Sequence, residues 1–326
     1  MNHKIFSVGN LTLVLIISIF FYSTLTHAQI KIPQVSIIQA IEHPALDATR
    51  KGIIDTLRES DKNIQIDFQS AQGNAALAAQ IAQKYVGSNA SVLVGIGTFV
   101  SQALVAADQK RAIPIVFSSV TDPLSAKLVK NLQKPGNVVT GVSNFIDPSI
   151  QFEFFKKILP RLTKIGIIYS SGEPNSIALN EKMRKISEPM ELELIFAPAN
   201  STADVPQATL SLTNRVQAIF INNDNIALSA LDSIVKIATQ NKIPVFCSDT
   251  DSVQQGALAS IGPNQYEVGK QAGNMILQIL AGENPGQMEI LFPQKTELWI
   301  NPLQAKVLKI EIPLDLLMKA KLVKNP

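Results

Sequence analysis

Six short stretches gather the residues able to handle a small polar ligand. They are Glu42-His43-Pro44, Gly97-Thr98-Phe99, Ser118-Ser119-Val120-Thr121-Asp122, Ser170-Ser171-Gly172-Glu173-Pro174-Asn175-Ser176, Asn222-Asn223-Asp224-Asn225 and Ser248-Asp249-Thr250-Asp251. Most of these side chains are hydroxyls, amides or carboxylates. Each stretch ends an apolar run and most open onto a helical pattern. A helix N-terminus presents free N–H groups and partial positive charge, which suits a ligand carboxylate. The acids of the later stretches suit an ammonium group. One set for each end of a zwitterion is the chemistry this division implies.

The residues expected to touch ligand are Glu42, His43, Thr98, Phe99, Ser118, Ser119, Val120, Thr121, Asn175, Ser176, Asn223, Asp224, Asn225 and Asp249. Phe99 and Val120 would supply apolar wall. Each has a plain structural role to set beside the ligand role. Ser, Thr, Asp and Asn are the favoured N-caps, and Asp122-Pro123 and Asp147-Pro148 read as helix starts only. The Glu42-His43 pair is an unusual choice for a cap, so its competing role is a core or hinge salt bridge. Phe99 and Val120 compete with core packing.

Enzyme signatures are weak. Gly95-Ile96-Gly97 is followed by Val100, so the dinucleotide fingerprint is incomplete, and no phosphate-loop lysine motif appears. Three histidines, two of them close to the N-terminus, cannot build a histidine-rich zinc site. His43 lacks a partner nucleophile elbow. The chain is therefore expected not to be an enzyme and to need no metal or cofactor.

The elements that position these stretches repeat. SVLVGIGTFVSQALVAADQKRAIPIVFSSVTD (91–122) and QAIFINNDNIALSALDSIVKIATQNKIPVFCSDTD (217–251) share one layout: apolar strand, polar loop, helix, Ile-Pro, second strand, second polar loop. QVSIIQAIEHPALDATRKG (34–52) pairs with KIGIIYSSGEPNSIALNEK (164–182) in the same way. Strands are predicted at 34–40, 63–68, 91–96, 113–118, 165–169, 192–196, 217–221 and 243–247. Helices are predicted at 45–60, 74–86, 101–110, 149–159, 177–187, 227–240 and 265–281. Strands alternating with helices imply α/β architecture with parallel sheets, and the near-continuous apolar strands imply helices on both faces. In such sheets ligands bind in the crevice at the strand C-termini. The fold class expected is two similar doubly wound lobes joined by a hinge, with the ligand between them.

Lobe one is expected to span 29–146 plus 264–293, and lobe two 147–263 plus 294–326. Gly141 to Pro148 reads as a first hinge strand, the helix after Gly262-Pro263 as a return to lobe one, and Lys295 to Asn301 as a third crossing.

Among 326 residues the formal net charge is +3, spread evenly, so nucleic acid is a poor partner. The lysines at 306, 309, 319, 321 and 324 fit a solvated amphipathic helix. Residues 1–28 read as a cleavable signal: Lys4 in the n-region, an apolar run from Leu11 to Tyr22, and Ala28 before a new first residue, Gln29. The single cysteine, Cys247, excludes an internal disulfide and lies inside a strand, so no lipid attachment after the signal is expected. Export without lipid or disulfide fits a bacterial periplasm.

The stretches QAIEHPALDATRKGIIDTL, DFQSAQGNAALAAQIAQKYV, IPIVFSSVTDPLSAKLV, NVVTGVSN, KIGIIYSSGEPNS, IPVFCSDTDSVQQGALASIG, YEVGKQAG and KTELWINP resemble the substrate-binding proteins of ABC transporters, in particular the tryptophan/tyrosine-type family. The resemblance covers about 30 to 326. It implies a type I periplasmic-binding fold that closes over one small ligand, an aromatic amino acid first. It also implies an ABC permease of the inner membrane as partner and a monomeric receptor. Phe99-Val100 departs from the proline and small residues usual in the family, which implies a reshaped pocket. A branched amino acid, a nucleoside or a sugar stays open as the ligand, and a sensory module stays open as the role. The one tryptophan, Trp299, lies near the expected hinge, which weighs against a sugar site built on stacked indoles.

Overall fold

The computed structural model describes residues 32–110 and 112–323. The expected signal, Gln29 and Lys324 lie outside them. No helix among the described residues is long and apolar enough to cross a membrane.

The chain begins β1 (Gln34–Gln39), α1 (Pro44–Glu59), β2 (Gln65–Ser70), α2 (Ala75–Val86), β3 (Val92–Ile96), α3 (Thr98–Ala107), β4 (Ile115–Ser118) and β5 (Val139–Val142). These strands form one parallel sheet in the order β2-β1-β3-β4-β5. The chain then enters α4 (Pro148–Ile158), β6 (Lys164–Tyr169), α5 (Pro174–Ser187), β7 (Glu193–Pro198), α6 (Val205–Leu212), β8 (Ala218–Ile221), α7 (Asn225–Ser229), α8 (Leu231–Gln240), β9 (Val245–Cys247) and β10 (Ala259–Gly262). The second sheet runs β7-β6-β8-β9-β10 and continues into β11 (Glu297–Ile300) and β12 (Lys321–Leu322). The first five positions of the two sheets have the same order. Each reverses direction of growth between its first and third strands, β1/β3 in one lobe and β6/β8 in the other, and that switch point is where open α/β sheets bind ligand.

Local sequence explains the helix starts. Prolines at 44, 148 and 174 occupy first-turn positions, where a missing N–H costs nothing. Asn74 and Asn264 cap their helices with side-chain oxygens. The helix α9 (Gln265–Leu280) returns to the first sheet and crosses α1 at backbone contact. Gly52 and Gly269 make that crossing possible: a Cβ on Gly269 would lie 2.0 Å from the Thr49 carbonyl oxygen.

The cores differ in kind. Lobe one is aliphatic around Ile37, Val94 and Ile276, with Phe117 and Tyr85. Lobe two stacks Phe155 on Phe246 at 4.2 Å between centroids, with Phe152 and Phe220 edge-on to Phe155.

Several expectations need correction. The helix expected at 227–240 is two helices, because Ala230 leaves helical geometry (φ −113°, ψ 22°). The strand expected at 63–68 is displaced to Gln65–Ser70, where it pairs in register with Gln34–Gln39. Residues Glu297–Ile300 form an antiparallel strand on β10, with Trp299 opposite Ser260, so Trp299 belongs to the lobe-two sheet and not to a bare crossing. The single helix expected for the C-terminal lysines is two short ones, α10 (Pro302–Leu308) with Lys306 and α11 (Leu314–Lys319) with Lys319, because Lys309 takes a left-handed turn (φ 58°) and Pro313 follows; Lys321 lies in β12.

Candidate functional site

The loops after β1, β3, β4, β6, β8 and β9 converge between the lobes. There they close on a small cavity of about 10 Å³ lined by His43, Ala45, Leu46, Thr98, Ser119, Asn144, Asn175, Asn223, Asn225, Leu228, Asp249 and Gln265. Larger grooves of about 470 and 860 Å³ lie elsewhere, beside Met275–Leu291 and at Thr163, Asn214–Gln217 and Asn241–Ile243. The second of these is at the strand N-termini, the edge opposite the one such folds use for ligands.

On the lobe-one side, His43 stands at the start of α1 in extended backbone, without a capping bond. Gly97 (φ 103°) turns the chain so that Thr98 opens α3. Thr98 Oγ1 is buried without a protein partner. Ser119 adopts a left-handed backbone (φ 55°), and its hydroxyl meets Thr49 Oγ1 at 2.9 Å and donates to Gln265 Oε1 at 3.2 Å. Thr121 Oγ1 donates to Asn144 Oδ1 at 3.3 Å.

On the lobe-two side the carboxylates are buried and held by N–H groups. Glu173 accepts from the backbone N–H of Asn225 and of Ile226, at 3.1 and 3.0 Å, and from both amide side chains, Asn175 and Asn225. Burial and the neighbouring Asp224 charge push its carboxyl up to about 8 against the pull of those donors. Asp224 accepts from Ser170 N at 2.6 Å and Ala227 N at 2.8 Å, and burial raises its pKa. Asp249 accepts from Ser252 N at 3.0 Å and from the Ser252 hydroxyl; burial raises it while the His43 charge opposes. Burial likewise lowers the pKa of His43, partly offset by Asp249.

Direct bonds cross between the lobes. His43 Nε2 lies 3.2 Å from Asn225 Oδ1, and Asn223 Nδ2 donates to Thr121 Oγ1 at 3.2 Å. Lys182 pairs with Asp122 at 3.0 Å. Ile41 of lobe one packs into the apolar cluster of Ile226 and Leu228 in lobe two.

Of the fourteen residues singled out in sequence, the cavity gathers His43, Thr98, Ser119, Asn175, Asn223, Asn225 and Asp249. Thr121 is one bond removed, on Asn223. Glu42 points to solvent. Phe99 packs on the lobe-one core and Val120 is inside it, so neither is cavity wall. Ser118 and Ser176 are buried behind the lining. Asp224 has both oxygens on backbone N–H groups and serves as the cap of α7. Sequence reasoning missed Ala45, Leu46, Asn144, Leu228 and Gln265 on the lining and Glu173 behind it. The signal available was weak: Glu173 sits in one of the six polar stretches, and Gln265 begins the returning helix. Among the described residues no cluster of three His, Cys, Asp or Glu is placed to hold a metal ion.

Residues 34–324 match the family model described as ABC transporter substrate binding protein. The chain belongs to that family of two-lobed binding proteins. It is 33% identical over 281 residues to a tyrosine-binding protein of Clostridioides difficile, a match covering 85% of this chain and 81% of that one. A Streptococcus pneumonia structure described as an ABC domain in complex with L-Trp is 32% identical and superposes with a TM-score of 0.86, covering 90% of this chain and all of that one. The ligand-free, open structure of a Clostridium difficile substrate-binding protein has the same identity and coverage but a TM-score of 0.67.

Proposed function

We propose that the chain is the soluble extracytoplasmic receptor of an ABC importer, closing over one aromatic amino acid and delivering it to a permease. On this reading it acts by binding alone, in a periplasm, as a monomer, with lobe boundaries near residues 146, 263 and 293. The observation that carries it is the shape of the cleft. Two lobes meet through direct hydrogen bonds over a cavity whose lining combines amides, hydroxyls, one carboxylate and aliphatic side chains. The free space left there is only about 10 Å³, room for about one water, so the lobes are shut on one another and must part to admit an amino acid. The unequal likeness to two relatives of equal identity supports closure, since a hinge rotation changes a whole-chain superposition without changing the lobes. The relatives' ligands, L-Trp and tyrosine, support the aromatic class.

In this reading Asp249 and the orphaned Asn175 oxygen face the ammonium group. Thr98 offers its unpartnered hydroxyl to the carboxylate. Ala45, Leu46 and Leu228 bound the ring. The test is a thermal scan with tryptophan, tyrosine and phenylalanine against glucose and adenosine. A ligand that binds only the folded state stabilises it by about 2.7 kcal/mol at a hundred times its Kd. A shift with adenosine or glucose and none with the amino acids would replace the ligand class.

A further inference from the structure

Glu173 stands at the N-cap position of α5 yet makes no capping bond there. Its carboxylate reaches instead to the loop before α7. Oε1 accepts from Ile226 N at 3.0 Å; Oε2 accepts from Asn225 N at 3.1 Å, Asn225 Nδ2 at 2.6 Å and Asn175 Nδ2 at 3.1 Å. All four partners are N–H donors. Asn175 Nδ2 also donates to the Asn223 carbonyl at 2.8 Å.

An amide carries its donors and its acceptor on opposite sides. With both Nδ2 atoms drawn to Glu173, both oxygens are turned away from it. Asn175 Oδ1 is left buried at the cavity without a protein partner, on a residue only 4% exposed. Asn225 Oδ1 is turned across the cleft onto His43 Nε2, 3.2 Å away. An acceptor at that point requires His43 to donate from Nε2.

We propose that Glu173 is a positioning residue: by orienting these two amides it makes the cavity accept an N–H donor of the ligand and ties that preference to closure of lobe one onto lobe two. The inference rests on the amino acid reading above and names how the ammonium end is selected. Reversing Asn175 would aim N–H groups at the ammonium. Reversing Asn225 would set its donors against the His43 Nε2–H.

Glu173→Gln keeps the shape but places an NH₂ group where four donors converge, so at least one amide must turn over. Two readouts separate positioning from mere support. The first is affinity for L-tryptophan against indole-3-propionate, which keeps the ring and the carboxylate but lacks the ammonium. E173Q is expected to lose about tenfold or more on tryptophan, the size of one hydrogen bond to a charged group, and to leave the propionate unchanged. The second is the tautomer of His43 by nitrogen-15 spectroscopy, with and without tryptophan. Histidine occurs only at 3, 27 and 43, so the signal lost in H43Q is that of His43. The wild-type ring is expected to carry its proton on Nε2, and E173Q to shift it toward Nδ1. Equal losses on both ligands, or an unmoved tautomer, would overturn the proposal. If E173Q does not fold, Asn175→Leu decides: a loss confined to tryptophan supports it, and an equal loss sinks it. If the wild type binds neither compound, the aromatic reading fails, while the His43 signal still judges Glu173.

Discussion

The two walls of the cleft are built by different means. Lobe one sets its wall by close packing. Thr49 on α1, Gln265 on α9 and Ser119 after β4 touch because two helices cross at backbone distance over glycines. Lobe two sets its wall by charge. Glu173, Asp224 and Asp249 are buried, and each is fixed by backbone N–H groups at the start of a helix or turn. A packed wall has one shape, and its hydroxyl and amide contacts carry no charge. A wall of buried carboxylates is held by strong charge-assisted bonds, carries a desolvation cost, and responds to protons. Duplicated topology therefore does not imply duplicated chemistry.

The comparison breaks hardest at the helix crossing. Gly269→Val puts a side chain into the Thr49 carbonyl, and backbone cannot yield as a flexible side chain would. A loss of about 3 kcal/mol is expected, read as a lower urea midpoint, with the same loss at pH 6 and pH 8. A wild-type midpoint would mean that the helices can separate freely. On the other wall, Asp224→Ala leaves the N–H groups of Ser170 and Ala227 without acceptors in the interior. The loss is expected to be about 2 kcal/mol, because removing a buried charge offsets part of the unpaired donors.

The same contrast explains what could be read from sequence. The parallel lobes were legible because strands such as Val92–Ile96 and Ala218–Ile221 are apolar throughout and end in polar loops. Seven cavity residues were legible for the same reason: they follow those strands. What stayed hidden depends on long-range contact. Gln265 reaches the cavity only because α9 returns to α1, and no local pattern encodes that. Phe99 and Val120 looked like cavity wall, but burial against Ile96 and Leu104 in the core claims such side chains first. Asp224 looked free until the fold brought Ser170 N within 2.6 Å. Ala230 breaks a helix whose periodicity continues on either side, so only the backbone reveals it.

A pH series sharpens the comparison at the next level, because the two walls titrate in opposite senses. Burial lowers the pKa of His43 in lobe one, so the folded state resists its protonation and stability is lost as pH falls below about 6.5. Burial pushes Asp251 up to about 7 in lobe two. That group favours the folded state while protonated, so its contribution is lost as pH rises from about 4 through 7. Each fully differential proton changes stability by at most about 1.4 kcal/mol per pH unit. The midpoint should fall less steeply as pH rises from about 4 to 7 in Asp251→Asn, and less steeply as pH falls below about 6.5 in His43→Gln. Slopes unchanged in both variants would show that neither group is linked to folding.

The smallest effect belongs to the rim, where the walls meet in solvent. Lys182 on α5 reaches Asp122 at 3.0 Å and lies 5.0 Å from the centre of the Phe145 ring. Burial raises the Asp122 carboxyl, but the Ser125 N–H and the Lys182 ammonium outweigh it, and its pKa falls below the usual value. Lys182 is 43% exposed, so the pair is worth about 1 kcal/mol or less. Its interest lies in where it sits. The bond joins one lobe to the other, so it acts on the closed form and not on the folding of either lobe. Lys182→Ala is expected to leave the melting temperature without ligand unchanged, leave the association rate unchanged, and speed ligand release by about twofold to fivefold. High salt should erase the difference, because exposed charges are screened. Release measured by stopped flow at low and high salt checks this. An unchanged rate at low salt would mean that the amide bonds of His43 and Asn223 hold the cleft shut without help from its rim.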